Sequence, residues 1–337
     1  MSAIETLMDN RCILTADSIH RQILGGLYII IFLIGVISNV ATIWAFKEAD
    51  KSATFIYMKN LTASDLLLSC SLLFRAIYYL KSDSWSHEDF ACILTTFVTI
   101  SVFYVNMYCS ILFLLWTSIS RYAIVVRPKF ALLHYFIKPK VIILICVFTW
   151  IVPAMCIVPL LLSYFAVNSR INAMSCYDLI INKRGKFFKN PHIFGAAFFY
   201  LTLLFLFVFY GLLAYHLYQT QKNSMVAKSQ GSNLKVHRKI FASIILFIVC
   251  FVPYHVQRVL HIASDDVNCQ WQDKLNKAKS GVILLAALSC CIHPLLHLCL
   301  RSKFCKAKDA SRKISVISCT DNTNNDHNMT PEDKTSL

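Results

Sequence analysis

A bundle of seven transmembrane helices, N terminus outside and a short amphipathic helix after the seventh, is the fold the sequence predicts. Three observations predict it. Of the 337 residues 57% are apolar and only 15% charged, against about 45–50% and about 25% in a soluble domain. The apolar residues gather into seven long uncharged runs, and the Lys and Arg residues fall mostly between alternate runs. An ordinary globule and a disordered chain are excluded. Once located on one face of the membrane, the net charge of +15 suits anionic lipid headgroups and an acidic protein surface, so nucleic acid is not a partner.

The runs cover residues 24–46, 55–79, 97–122, 141–165, 193–218, 240–262 and 281–300, each 20 to 26 residues long. A helix rising 1.5 Å per residue crosses a hydrocarbon core of about 30 Å in such a length. In lipid the backbone must bond to itself, so a helix is required. The first run is too long for the apolar part of a signal peptide, and no basic segment with a cleavage site precedes it. It is expected to stay as an anchor. Residues 1–23 are then an outer tail, 24–300 the bundle, and 301–337 a cytosolic tail with a short helix and a disordered end.

Twenty Lys and Arg lie on the side of the loops after runs 1, 3 and 5 and of the C-terminal tail, against thirteen opposite. The richer side is cytosolic. Four of the fourteen cysteines fall on the outer side: Cys12, Cys92, Cys176 and Cys269. They allow three connectivities, and their spacing favours Cys92 with Cys176 and Cys12 with Cys269. Eight more lie inside the runs as packing residues. Cys305, in a basic stretch beside Phe304, is a palmitoylation candidate.

Catalysis has no signature here: no phosphate loop, no nucleophile turn and no cofactor motif appears. His293 and His297 share a helix face as a zinc pair does, but Pro294 stands between them and no third ligand is near. What stands out is a polar or Pro residue at a set place in each run. The first carries Asn39, the second Asp65, and the third ends Ser120-Arg121-Tyr122. The fourth has Trp150 and Pro159, the fifth Tyr210-Gly211, the sixth Cys250-Phe251-Val252-Pro253-Tyr254-His255 and the seventh His293-Pro294. In this order the set resembles the rhodopsin-like family of G-protein-coupled receptors along essentially the whole chain.

That resemblance implies a cell-surface receptor coupled to heterotrimeric G proteins. A carboxylate in midmembrane costs several kcal/mol unless solvated or paired, so Asp65 is a functional residue by default, with Asn39, Asn106, Ser110 and Ser289 able to surround it. In the family such groups hold a sodium ion. Pro253 kinks the sixth helix into a lever, and Phe251 is the residue whose repacking couples ligand to lever. Phe103-Tyr104-Val105-Asn106-Met107-Tyr108, Cys176-Tyr177-Asp178 and the Cys12 and Cys269 pair narrow the likeness to the purinergic-type branch, which senses nucleotides and lysolipids. His255, Arg258 and Lys279 match positions where that branch binds anions, Tyr104 and Tyr108 match its pocket aromatics, and Arg75 is a further cation. Guanidinium groups at low dielectric suit phosphate or carboxylate.

Departures from the family pattern carry their own expectations. The segment from Cys92 to Arg121 exceeds the usual length by about one helical turn. Ser120 stands where an acid usually precedes the arginine, so Arg121 is expected to lack its ionic restraint. His293 replaces an Asn or Asp, and is expected to face Asp65 in place of the ion. His297 replaces a Tyr, and Thr202 stands near a missing Pro. Two other classes stay open: a heptahelical protein that binds without activating G protein, and a transporter, for which the internal repeat is missing.

Overall fold

The computed structural model describes residues 18–46, 52–81, 90–126, 135–168, 186–223, 231–263, 271, 274–275 and 277–295. Among these, seven helices are long and apolar enough to cross a membrane: α1 (Ser18–Ala45), α2 (Ala53–Lys81), α3 (Phe90–Val126), α4 (Pro139–Asn168), α5 (Lys186–Asn223), α6 (Gly231–Ala263) and α7 (Lys277–Leu295). The described residues contain no strand. Cys12, Cys176, Cys269, His297 and Cys305 lie outside them, as does the side chain of Cys92, and so does the short helix expected after α7.

The helices outrun the apolar stretches that announce them. α3 has 37 residues and α5 has 38, because hydropathy ends at the hydrocarbon boundary whereas backbone hydrogen bonding continues into the headgroup region. Lys186 and Lys189 open α5 there, and α1 starts at Ser18, ahead of the first apolar run.

α1 packs along α2, α2 along α3, and α3 runs through the middle against α4, α5 and α6. Tyr28, Tyr57, Phe113, Phe199, Phe247 and Phe251 are wholly buried in the resulting core. Ile30, Ile34 and Ile37 of α1 and Leu204, Phe207 and Val208 of α5 face outward, as lipid-facing residues do. Between helices in lipid the hydrophobic effect gives no drive, so close packing and polar contacts hold the bundle. Gly35 shows this: a Cβ there would run into the Ser69 side chain, with Cys290 Sγ at 3.4 Å, so α1, α2 and α7 meet at its bare backbone.

Prolines supply the second theme. Each lacks an N–H and strips a hydrogen bond from the carbonyl four residues earlier. Pro153 frees Thr149 O, which accepts from Cys109 Sγ on α3 at 3.2 Å. Pro294 frees Cys290 O, which accepts from Asn39 Nδ2 on α1 at 2.8 Å. Cys291 Sγ also donates to Ile31 O at 3.2 Å. Neighbouring helices thus satisfy what the prolines release, as a membrane interior demands.

Candidate functional site

At the end of the bundle where α1 starts and α2 finishes, aromatic and cationic side chains converge. Tyr104 and Tyr108, one turn apart on α3, share a face. Tyr254, beside the α6 proline, donates its hydroxyl hydrogen to Tyr104 Oη at 2.7 Å and meets Phe103 edge-on at 5.4 Å. Arg258, one turn further along α6, lays its guanidinium over Tyr104 at 4.9 Å and near Tyr254 at 5.9 Å, a stacking that only a planar cation makes well. Arg258 Nη1 is buried and makes no hydrogen bond.

Arg75 of α2 flanks the same wall. Only 4% exposed, its Cζ lies 5.5 Å from the Tyr28 ring and 5.7 Å from the Phe103 ring. Lys279 stands half-buried near the start of α7. The structure therefore brings Arg258, Tyr104, Tyr108 and Arg75 around one wall, to which the sequence reading had not assigned Tyr254, Phe103 or Tyr28. His255 is placed differently. It is fully buried and stacks on Phe199 of α5 with ring centres 3.8 Å apart, and neither ring nitrogen has a hydrogen-bond partner. Phe199 stacks in turn on Phe247, and Phe247 leans on Phe251 at 4.5 Å. His255 thus heads an aromatic column that descends to Phe251 between α5 and α6.

Deeper lies Asp65, the only acidic residue among those described. Asn106 Nδ2 donates to its Oδ1 at 3.2 Å and to Ser64 Oγ at 2.9 Å. His293 Nδ1 sits 3.2 Å from Oδ2, both side chains being 1% exposed. Of the four polar residues expected around the carboxylate, Asn106 alone touches it in the hydrogen-bond set. Asn39 is drawn away to the carbonyl freed by Pro294, Ser289 Oγ donates to Ala286 O at 2.7 Å, and Ser110 Oγ has no partner. His293 Nδ1 stands against one carboxylate oxygen, while Asn106 Oδ1 and Ser110 Oγ, oxygens of the kind a sodium ion takes, are buried without a hydrogen-bond partner. No cluster of three or more metal-binding side chains occurs among the described residues.

At the far end Ser120 Oγ donates to Thr117 O at 2.9 Å and lies 3.4 Å from Thr54 Oγ1 of α2. Arg121 next to it meets no acid among the described residues, and its Nε has no hydrogen-bond partner. Tyr122 packs edge-on against Phe209 at 5.9 Å, while Tyr210 stacks on Phe241 of α6 at 5.3 Å. Pro253 lies within α6, between this end and the pocket.

The family model described as 7 transmembrane receptor (rhodopsin family) matches residues 38–297. The chain belongs to that family. It is 29% identical over 324 residues to mouse cysteinyl leukotriene receptor 1, covering 94% of this chain and 88% of the relative. Bovine purinoceptor 14 is 28% identical, with 85% and 84% covered. The mouse protein named probable G-protein coupled receptor 82 is 26% identical, with 89% and 97% covered. The protein is thus a G-protein-coupled receptor of the purinergic branch, a multi-pass protein of the plasma membrane, and not an enzyme.

For this receptor the sequence carried a usable signal for Tyr254, which sits inside the Pro253 motif. It carried none for Phe199 or Tyr28, whose roles depend on which helix lies opposite.

Proposed function

We propose that this receptor transduces an extracellular anionic small molecule to heterotrimeric G proteins, with Arg258 as its main anchor. One observation carries the reading: a half-buried guanidinium whose buried Nη1 is unbonded, walled by tyrosines, in a helical framework whose only described acid is the deep Asp65. A buried charge needs a partner, and a phosphate or carboxylate supplies one through charge-assisted bonds. Arg75 and Lys279 add positive potential on the ligand's way in. The pocket end faces outside in this reading, and the cation-rich loops face the G protein. The names of two relatives, a leukotriene receptor and a purinoceptor, agree with an anionic ligand. The test is G-protein activation in cells, first without ligand and then with nucleotides, lysophospholipids and fatty carboxylates. A receptor answering none of these, but answering amines, overturns the anionic reading.

Arg121, with no described acid beside it, makes basal signalling an expected property. Ser120→Asp should lower it, by about tenfold if the new carboxylate favours the resting state by about 1.4 kcal/mol. His297→Tyr should raise it. A receptor that is silent at good surface expression, and stays silent as His297→Tyr, supports instead a heptahelical protein that does not activate G protein.

His293 in this proposal stands in for the family's sodium ion beside Asp65. Two disulfides, Cys92 to Cys176 and Cys12 to Cys269, tie the outer loops to the bundle, and Cys305 is acylated near membrane lipid. Non-reducing peptide mapping should recover both pairs. Cys92 found free, or joined to Cys12, contradicts the assignment.

A further inference from the structure

Beyond Pro253, which interrupts the backbone hydrogen bonding of α6, the next turn of that helix is held from three sides. Tyr254 bonds Tyr104 of α3 at 2.7 Å, and His255 stacks on Phe199 of α5 at 3.8 Å. Gln257 makes the third tie: its Nε2 donates to the backbone carbonyl of Leu275 at 3.1 Å. Gln257 is 7% exposed and Leu275 6%, so the bond lies where water competes little for it. A buried amide needs such a partner.

What the bond connects matters more than its strength. Leu275 stands two residues ahead of α7, and Lys279, half-buried, follows four residues after it in the first turn of that helix. On α6 the next residue is Arg258, turned by about 100° from Gln257, with its guanidinium over Tyr104 at 4.9 Å and its Nη1 unbonded. A single hydrogen bond thus joins the backbone beside Arg258 to the backbone that leads into Lys279. We propose that Gln257 is a positioning residue of the ligand site, fixing the separation of Arg258 from Lys279 so that one anion can engage both; this rests on the anionic-ligand reading above. Charge-assisted bonds need nitrogen and oxygen about 2.7–2.9 Å apart, so two cations that share an anion are sensitive to their spacing. Without the tie the entry of α7 shifts against α6, and an anion seated on Arg258 meets the Lys279 ammonium less well.

The test uses the full-length receptor purified in detergent. Its thermal unfolding midpoint is followed against inorganic pyrophosphate and, in parallel, octanoate, each at matched ionic strength, which separates phosphate from carboxylate. The wild type is expected to gain stability with one of them, and Arg258→Ala to lose that response. Lys279→Gln should raise the half-saturating concentration about tenfold, the loss of one hydrogen bond to a charged group. Gln257→Met, which fills similar space without a donor, should raise it by about five- to tenfold. Added to Lys279→Gln, Gln257→Met should cost less than about twofold more, because no second cation is left to misplace.

If Gln257→Met is too unstable to purify, Gln257→Asn, whose amide falls one methylene short of Leu275 O, carries the same comparison. Half-saturation unchanged in these variants, even with a lower midpoint in the absence of anion, shows a tie that merely braces the fold and overturns the proposal. Losses that multiply in the double variant overturn it as well, as does an unchanged response in Lys279→Gln. These outcomes leave the anionic reading intact. A wild type that responds to neither probe overturns both.

Discussion

Replacing His293 with alanine is expected to destabilise the receptor by about 1–3 kcal/mol, the cost of leaving a buried polar group without its hydrogen-bond partner. The size follows from the surroundings. Asp65 Oδ2 has His293 Nδ1 at 3.2 Å, and both side chains are 1% exposed. Asn106 serves the other oxygen, so deletion of the imidazole leaves half of a carboxylate with no donor where water has little access. Cys250, Cys290 and Cys291 lack a strong donor, and Asn39 is committed to Gly35 O and Cys290 O. His293→Ala combined with Asp65→Asn should recover most of the loss, because an amide carries its own donor and costs less to bury than a carboxyl group missing its partner. Thermal unfolding of the purified receptor and its surface expression measure this. Independent, additive losses from the two substitutions would show that the pair does not act as a unit. The wild type should also unfold at the same temperature in sodium chloride and in choline chloride.

Arg258→Ala is expected to weaken an activating anion about 10- to 150-fold, since removing a charge-assisted bond costs about 1.5–3 kcal/mol. Arg258→Lys should not restore the affinity. A lysine keeps the charge but loses the flat group that lies 4.9 Å over Tyr104 and the fork that addresses two partners at once. Tyr254→Phe removes only the hydroxyl that bonds Tyr104 at 2.7 Å, and its effect should be several-fold smaller. Concentration–response curves for the most potent anion of the signalling panel, with competition binding, measure all three. An unchanged affinity in Arg258→Ala would move the anchor to Arg75 or Lys279.

How far the site was legible in the sequence depended on how local its cause was. The meeting of Asp65 and His293 could be read in advance through the family likeness, because His293 stands where the family has an Asn or Asp beside the midmembrane carboxylate. That Asn39 would not join them could not. Its amide goes to Cys290 O, a carbonyl made available by a proline on another helix, and only the packing of α1 on α7 reveals that. His255 shows the opposite limit. Its match to an anion-binding position of the branch suggested a pocket residue, but its rotation about α6 turns it onto Phe199. The count and order of the helices were legible from apolar runs alone. Their ends were not, since helices continue where hydropathy no longer marks them. The close approach of Gly195 to Tyr108 carried no signal, because it depends on which helix lies opposite.

The bonds between α1 and α7 bear on how the receptor is made. α1 is synthesised first and α7 last, yet Asn39 gives one amide hydrogen to Cys290 O, and Cys291 Sγ reaches back to Ile31 O. While six helices are being threaded into the membrane, Asn39 has only the carbonyl of Gly35, one turn back on its own helix, to occupy it. The kinked carbonyl at Cys290, for its part, has no donor until the first helix closes onto the last. Assembly therefore ends with a ring closure, and a nascent receptor lacking its seventh helix leaves one Asn39 amide hydrogen without its acceptor in the membrane.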